Sequence, residues 1–365
     1  DKVYENNSFS SIMGSLLLDP DYSIMLKAVQ DLGIDIGLQS NGLDFTIFGI
    51  KNDQFINIAD PNSATRKVSV VDFEPDLSVV YLEVTGDPVA SNNRVYPPLG
   101  STNPSSSDVD YVTATLNSIV LNQIVDEAVD LNMDNYYQAR SGEYLYVSGG
   151  SNVAGGGDIF NNQSSQVQSE VVAENGIFYN MSSFLERPLS FTYGALEENS
   201  STFSLFLDVL NGAGIVLDIE GSDDKLIGLL NLQKTWTLFA PNNTAVAQAI
   251  SDGVIPDPDP ALLGTLTPLE LATAKRDFLL FVQKHFLQQS ITTDGKTVGT
   301  FSSLYVNSIV NLVNVYDEFI IENNYDTSSL TLKNPSTADI VTETAGISNL
   351  LSKRVVIHEI DNYIK

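Results

Sequence analysis

The rhythm of apolar and polar positions is clearest along residues 235–250. Thr235 to Phe239 is a run of β-branched, aromatic and apolar residues, the composition of a buried strand. Pro241 has no N–H to offer a neighbouring strand, so it cannot extend a central one. Asn242 and Asn243 follow, and either side chain can cap the free N–H groups of a new helix. Ala245, Val246, Ala249 and Ile250 then recur at helical spacing. The stretch predicts a strand, a Pro-Asn turn and a short helix.

The same rhythm occurs earlier in the chain. Along residues 44–55, Thr46, Phe48 and Asn52 fall on Thr237, Phe239 and Asn243 at an offset of 191, with Gly49-Ile50 in place of Ala240-Pro241. Asn52 and Asn243 are therefore expected to cap helices at equivalent places. Ahead of each copy lies an amphipathic helix. Ile24, Met25, Ala28, Val29 and Leu32 form one apolar face, matched by Leu205, Phe206, Val209 and Leu210, and Gly14 falls on Gly194 at an offset of 180. A longer helix follows, Leu269 to Leu287 in the second copy; in the first it ends at Ile119–Val125, with Asn122-Gln123 on Lys284-His285 at an offset of 162. A closing strand comes last. It runs over 355–364, and its earlier counterpart over 175–185 puts Tyr179 and Ser182 on His358 and Asp361 at an offset of 179. Self-similarity at this period predicts tandem domains.

The changes of offset locate insertions. The drop from 191 to 162 gives the first copy 29 extra residues, within 59–108; the rise to 179 gives the second copy 17, within 288–354, where Tyr305 to Leu332 alternates like a long hairpin. The first insertion holds two strand-like runs, 67–73 and 78–84, and then a Pro/Ser/Asn-rich loop, 86–107, expected at the surface.

The run Thr237-Leu-Phe-Ala-Pro-Asn-Asn243 resembles the Thr-x-Phe-Ala-Pro-x-Asn signature of the fasciclin-like domain family. His285 sits where that family has the His of Leu-x-Tyr-His-Val-Val, with Lys284 in place of its Tyr, and His358 and Asp361 match its closing Val-Val-His-Val-Ile-Asp. The resemblance covers most of the chain in two copies, the second being the closer. It implies an α+β fold of two fasciclin-like domains, 1–187 and 188–365, each a β-wedge or sandwich packed with several α-helices. It makes Phe48, Asn52, Phe239, Pro241, Asn243, His285, His358 and Asp361 structural motif residues. It implies a non-enzymatic adhesion or binding protein, extracellular or at a cell surface.

Composition narrows the partners. The chain has 365 residues, enough for two domains, and 43% hydrophobic residues, too many for a disordered polymer. Its net charge of −28 is spread over both halves, so nucleic acid and anionic membranes are excluded as expected partners, and solubility is the ordinary role of the charge. There is no cysteine, hence no disulfide, thiolate metal site or cysteine nucleophile. No run of about 18 apolar residues is present to span a membrane. The chain opens on Asp1 rather than Met, and a processed or trimmed chain is expected.

No catalytic, cofactor-binding or metal-binding residue is nominated. The two histidines lack His-x-x-x-His or Glu-x-x-His spacing, and a structural role is expected for both, buried and bonded to backbone. The Gly-rich run 148–158 lacks Gly-Lys-Ser/Thr and reads as a flexible hairpin tip rather than a phosphate loop. The acidic groups Asp218, Glu220, Asp223 and Asp224, and Asp257 with Asp259, lack EF-hand spacing and read as solvated loops. Asn6, Asn162, Asn180, Asn199 and Asn242 lie in N-glycosylation sequons. The partner, a protein or a glycan at a cell surface, is expected on the first insertion. Its apolar runs need cover, and Arg94, Tyr96, Pro97 and Pro98 present anchor-type side chains. Two other function classes fit the sequence: an accessory subunit of a bacterial outer-membrane complex held by a lipid anchor before Asp1, and, more weakly, a carbohydrate-acting enzyme.

Overall fold

The structure is a computed structural model that describes residues 11–35, 37–39, 44–56, 58–59, 67–73, 80–85, 118–219, 224–310, 313–335, 340–344 and 346–365. It is a mixed α+β protein whose chain divides into two compact units, Asp1–Leu189 and Ser190–Lys365.

The first unit opens with α1 (Ile12–Leu18), a 3-10 turn at Pro20–Tyr22 and α2 (Ser23–Asp31). Asp19 caps the turn by accepting the Asp21 N–H, and Pro20 occupies the first position, where no N–H is needed. Ile24, Met25, Ala28 and Val29 are buried, as their helical spacing predicts. The strands are β1 (Phe45–Gly49), β2 (Ile58–Ala59), β3 (Lys67–Phe73), β4 (Val80–Thr85), β5 (Ile124–Val125), β6 (Asn135–Gln138), β7 (Tyr144–Ser148), β8 (Asn152–Gly155), β9 (Ser165–Ala173) and β10 (Gly176–Met181), with α3 (Gly156–Phe160) after β8.

Every residue of β1 is buried, which is why it reads as an unbroken run rather than an alternation. It lies between β10, to which it is parallel, and β5, to which it is antiparallel. The sheet order is β5-β1-β10-β9-β8-β7-β6, and Val125 also bridges Ala139 just beyond β6, so the two ends of the sheet meet. In the insertion, β2, β3 and β4 form a separate antiparallel sheet, its last strand displaced slightly from the expected 78–84.

The second unit carries α4 (Thr192–Glu198), α5 (Ser200–Ala213), α6 (Asn243–Ser251), α7 (Pro260–Leu263) and α8 (Pro268–His285). Its strands are β11 (Val216–Asp218), β12 (Lys225–Ile227), β13 (Trp236–Pro241), β14 (Phe286–Gln288), β15 (Gly299–Val310), β16 (Val313–Asn324), β17 (Ser329–Lys333), β18 (Ile340–Thr342), β19 (Leu350–Ser352) and β20 (Val355–Ile360). The main sheet has the order β18-β17-β16-β15-β14-β13-β20-β19. Wholly buried β13 is parallel to β20 and antiparallel to β14, the same arrangement as around β1. The alternating segment expected from Tyr305 to Leu332 is the antiparallel run β15–β16–β17.

Four expectations need correction. β13 runs through Pro241 rather than stopping before it. A last strand residue needs no N–H of its own when the next one supplies it, and Asn242 donates to the Ile360 carbonyl. The long helix stops at His285, and Phe286 and Leu287, expected as its end, belong to strand β14 (Phe286–Gln288), paired with β13. In the first unit Ile124–Val125 is likewise strand, not helix. The Gly-rich run is a tight turn only at Gly149 and Gly150, both with positive φ. Gly155, Gly156 and Gly157 are buried at the β8–α3 junction. A Cβ on Gly155 would lie 2.0 Å from the Glu186 carbonyl oxygen, so glycine is required by close packing rather than by flexibility.

Candidate functional site

The motif residues occupy matched positions in the two units, though not always in the expected role. Asn242 is the N-cap of α6, accepting the Ala245 N–H at 3.0 Å, and Asn243 is the first helical residue. Asn52 likewise begins a 3-10 turn, Asn52–Gln54, rather than capping it. Each of these asparagines instead reaches back to the preceding helix. The Asn52 amide accepts from Ile24 N–H at 3.0 Å and donates to the Pro20 carbonyl at 2.9 Å. The Asn243 amide accepts from Leu205 N–H at 2.9 Å and donates to the Ser201 carbonyl at 3.1 Å. In both units the amide spans a backbone C=O and the N–H four residues on, and in both a serine hydroxyl, Ser23 or Ser204, completes the group. An amide suits this place because it carries a donor and an acceptor side by side.

The strand residues repeat as well. Thr46 donates to the Glu127 carbonyl at 2.9 Å and Thr237 to the Gln289 carbonyl at 2.8 Å. Phe48 stacks on Tyr179 at 5.8 Å, and Phe239 on His358 at 5.5 Å. Where the two copies differ in sequence, the bonds persist. The Tyr179 hydroxyl donates to the Val129 carbonyl at 3.4 Å, and His358 Nε2 donates to the Ile291 carbonyl at 2.9 Å.

His285 is fully buried. Its Nδ1 lies 2.8 Å from the Phe281 carbonyl and its Nε2 accepts the Ile364 N–H at 3.1 Å. A carbonyl only accepts and a backbone N–H only donates, so the ring is the neutral Nδ1–H tautomer. Burial pushes its pKa down to about 4. Both nitrogens are thus engaged by backbone. His358 is equally buried. With Nε2 committed to Ile291, its Nδ1 lies 2.8 Å from a carboxylate oxygen of Glu343, itself nearly enclosed. Nδ1 also accepts the Asn349 N–H at 3.4 Å. Ser348 donates to the other carboxylate oxygen at 2.7 Å. Asp361 is exposed just past β20.

A buried carboxylate escaped sequence reading. Asp158 Oδ2 accepts from Gly155 N–H and Glu186 N–H, both at 2.8 Å, and burial drives its pKa up to about 7 against those two bonds. The partners come from distant chain segments, so only the Gly-rich approach of the two backbones hints at it. Asp257 and Asp259 are spent on local turns, Asp259 capping α7. Asp224 accepts from the Phe191 and Lys225 N–H groups. Among the described residues, no three His, Cys, Asp or Glu side chains gather as a metal would require. Arg94, Tyr96, Pro97 and Pro98 lie outside the described residues, as do Glu220 and Asp223.

Sequence reading also missed a groove of about 420 Å³ in the first unit, between α1 and the β9–β10 ribbon. Its walls include Ser15 and Leu18 on one side and Val171 and Val172 on the other, with Tyr22 and Phe178 beneath. The Tyr22 hydroxyl donates to Asn180 Oδ1 at 2.8 Å, and its ring meets Phe178 edge-on at 5.0 Å. Burial, with the charges of Asp19 and Asp21, raises the Tyr22 pKa to about 12. The signal that points to the groove is a pair of apolar doublets, Leu17-Leu18 and Val171-Val172, whose members are all exposed.

Fold and site together define an α+β protein whose matched motif side chains, Thr46 and Thr237, Asn52 and Asn243, Gln123 and His285, bond to backbone. No family model and no curated protein matches the chain. Among solved structures it is similar to a pair of FAS1 domains from the insect cell adhesion molecule Fasciclin I. Identity is 13%, the likeness covers 94% of this chain and 97% of that one, and the TM-score is 0.32. No helix among the described residues is long and apolar enough to cross a membrane.

Proposed function

We propose that the protein is a pair of fasciclin-like domains acting as a non-enzymatic adhesion or binding module, at a cell surface or outside the cell, toward a protein or a glycan. One observation supports the tandem reading. The motif residues that carry the sequence resemblance make matching bonds in both units, even where Gln123 stands for His285 and Tyr179 for His358. The step from domain type to binding is by family analogy. We place the partner surface on the first insertion, where the β3–β4 hairpin is followed in sequence by the Pro/Ser/Asn-rich residues 86–107. The test joins residue 85 to residue 108 with a short Gly-Ser linker and compares recovery of surface proteins or glycans from native membranes. The full chain should retain a saturable partner and the folded deletion variant should lose it. Retention at full yield removes the insertion from the proposal. Hydrolysis of a glycan by the purified chain, abolished by one carboxylate substitution, would overturn the non-enzymatic reading.

A further inference from the structure

We propose that the open edge of β9, with the groove under α1, docks an extended cationic peptide segment of another protein, added to the sheet as one more strand. β10 pairs with β9 from Ala173 back to Val167. On the other side β8 meets β9 only at Ser165 and Gln166, with Val167 N–H reaching the Ser151 carbonyl. From Gln168 to Ala173 no strand lies along that edge among the described residues. Alternate residues of an antiparallel strand turn both N–H and C=O away from their partner, so this stretch offers a row of unpaired backbone groups. Val171 and Val172 are 51% and 69% exposed there. Sheet edges are commonly blunted by charged side chains, Lys above all, or by Pro; Gln168-Ser-Glu-Val-Val-Ala173 has no Lys or Pro and a single charge, Glu170.

The neighbouring groove supplies side-chain recognition. An added strand would point alternate side chains toward Leu18, Tyr22 and Phe178, while its backbone pairs with β9. Charge selects the occupant. Asp19 lines the groove beside Asp21, and Lys51, the cation at this wall, is paired with Asp21 at 3.3 Å. Glu170 sits in the middle of the open edge, and the chain carries −28 overall. A second copy would bring Glu170 toward Glu170 and acid toward acid, whereas a segment with Lys or Arg flanking apolar residues is attracted. The inference rests on the binding-module reading only in taking the ligand to be a protein segment, and it is independent of the insertion.

The experiment selects phage-displayed random peptides of about 12 residues on the full chain, with counter-selection on Val172→Pro. The proline removes edge hydrogen-bonding capacity, and Ser15→Trp fills the groove while leaving the strand intact. We expect peptides with alternating apolar residues and at least one Lys or Arg. Synthetic versions should bind about tenfold more weakly to either variant, and should slow amide exchange in 168–173. If Val172→Pro lowers the melting temperature, Ser15→Trp decides. The 86–107 deletion variant should bind the same peptides, which separates this site from the insertion. Three results would each overturn the proposal: no peptide that distinguishes wild type from the variants, binding without protection of β9, or a wild-type dimer in sedimentation that Val172→Pro dissolves.

Discussion

Gln123 does in the first unit what His285 does in the second. The Gln123 amide donates to the Ile119 carbonyl four residues back and accepts the Leu185 N–H; His285 donates to the Phe281 carbonyl four residues back and accepts the Ile364 N–H. Both side chains are fully buried where the chain turns from helix to strand. What the position requires is one donor and one acceptor on a flat group, which an amide and a neutral imidazole both provide.

His285→Gln should therefore fold, and should alter the pH dependence of stability. Folded His285 has a pKa of about 4 against the ordinary histidine value of 6.5, so between those values the unfolded chain binds the extra proton. Stability of the second unit is then full above about pH 6.5 and falls as pH drops toward 4, by up to roughly 3 kcal/mol. Denaturant titrations should show this loss in wild type and its absence in His285→Gln. His285→Ala, which leaves the Phe281 and Ile364 groups unpaired, should be destabilised at every pH.

Asn52→Ala and Asn243→Ala should each cost about 1–2 kcal/mol, since each leaves a helical N–H and C=O without the bridging amide. The damage should be local. Amide exchange should accelerate at the start of α2 in the first variant and in the first turns of α5 in the second. A global loss from either variant would contradict this assignment.

Asp158 should act with the opposite sign to His285. Its folded pKa of about 7 lies above the ordinary aspartate value of 3.8, so the folded chain holds a proton that the unfolded chain has released. Its contribution to the first unit's stability is present below about pH 4 and is lost as pH rises to 7, by at most about 4 kcal/mol. Asp158→Asn keeps an acceptor for Gly155 and Glu186 N–H without the charge. The variant should be the more stable protein at pH 7 and should lose that part of the pH slope.

Gly155→Ala should destabilise the first unit by about 3 kcal/mol, because the new methyl would sit 2.0 Å from a backbone oxygen that no rotamer change can move. Gly150→Ala is the control. Space there is open, and only its positive φ of 79° is penalised, so its cost should be the smaller in parallel thermal melts.

Local chemistry wrote the elements into the sequence. The apolar stripe of α2, the β13-turn-α6 succession and the β15–β17 alternation are legible because helix and strand periods and turn residues act over a few positions. The offsets between the two copies are legible for the same reason, since repetition needs no knowledge of packing. The tertiary structure decided whatever depends on which distant segments meet. It drew Phe286 and Leu287 out of the helix pattern into a strand, because β13 had an open edge to pair. It turned Asn52 and Asn243 from caps into clasps on an earlier helix. It enclosed Asp158 between Gly155 and Glu186, and among the described residues it left the 168–173 edge of β9 without a partner strand beside a groove. Burial and pairing are properties of the assembled surface, set by segments far apart in sequence, and no local pattern of residues encodes them.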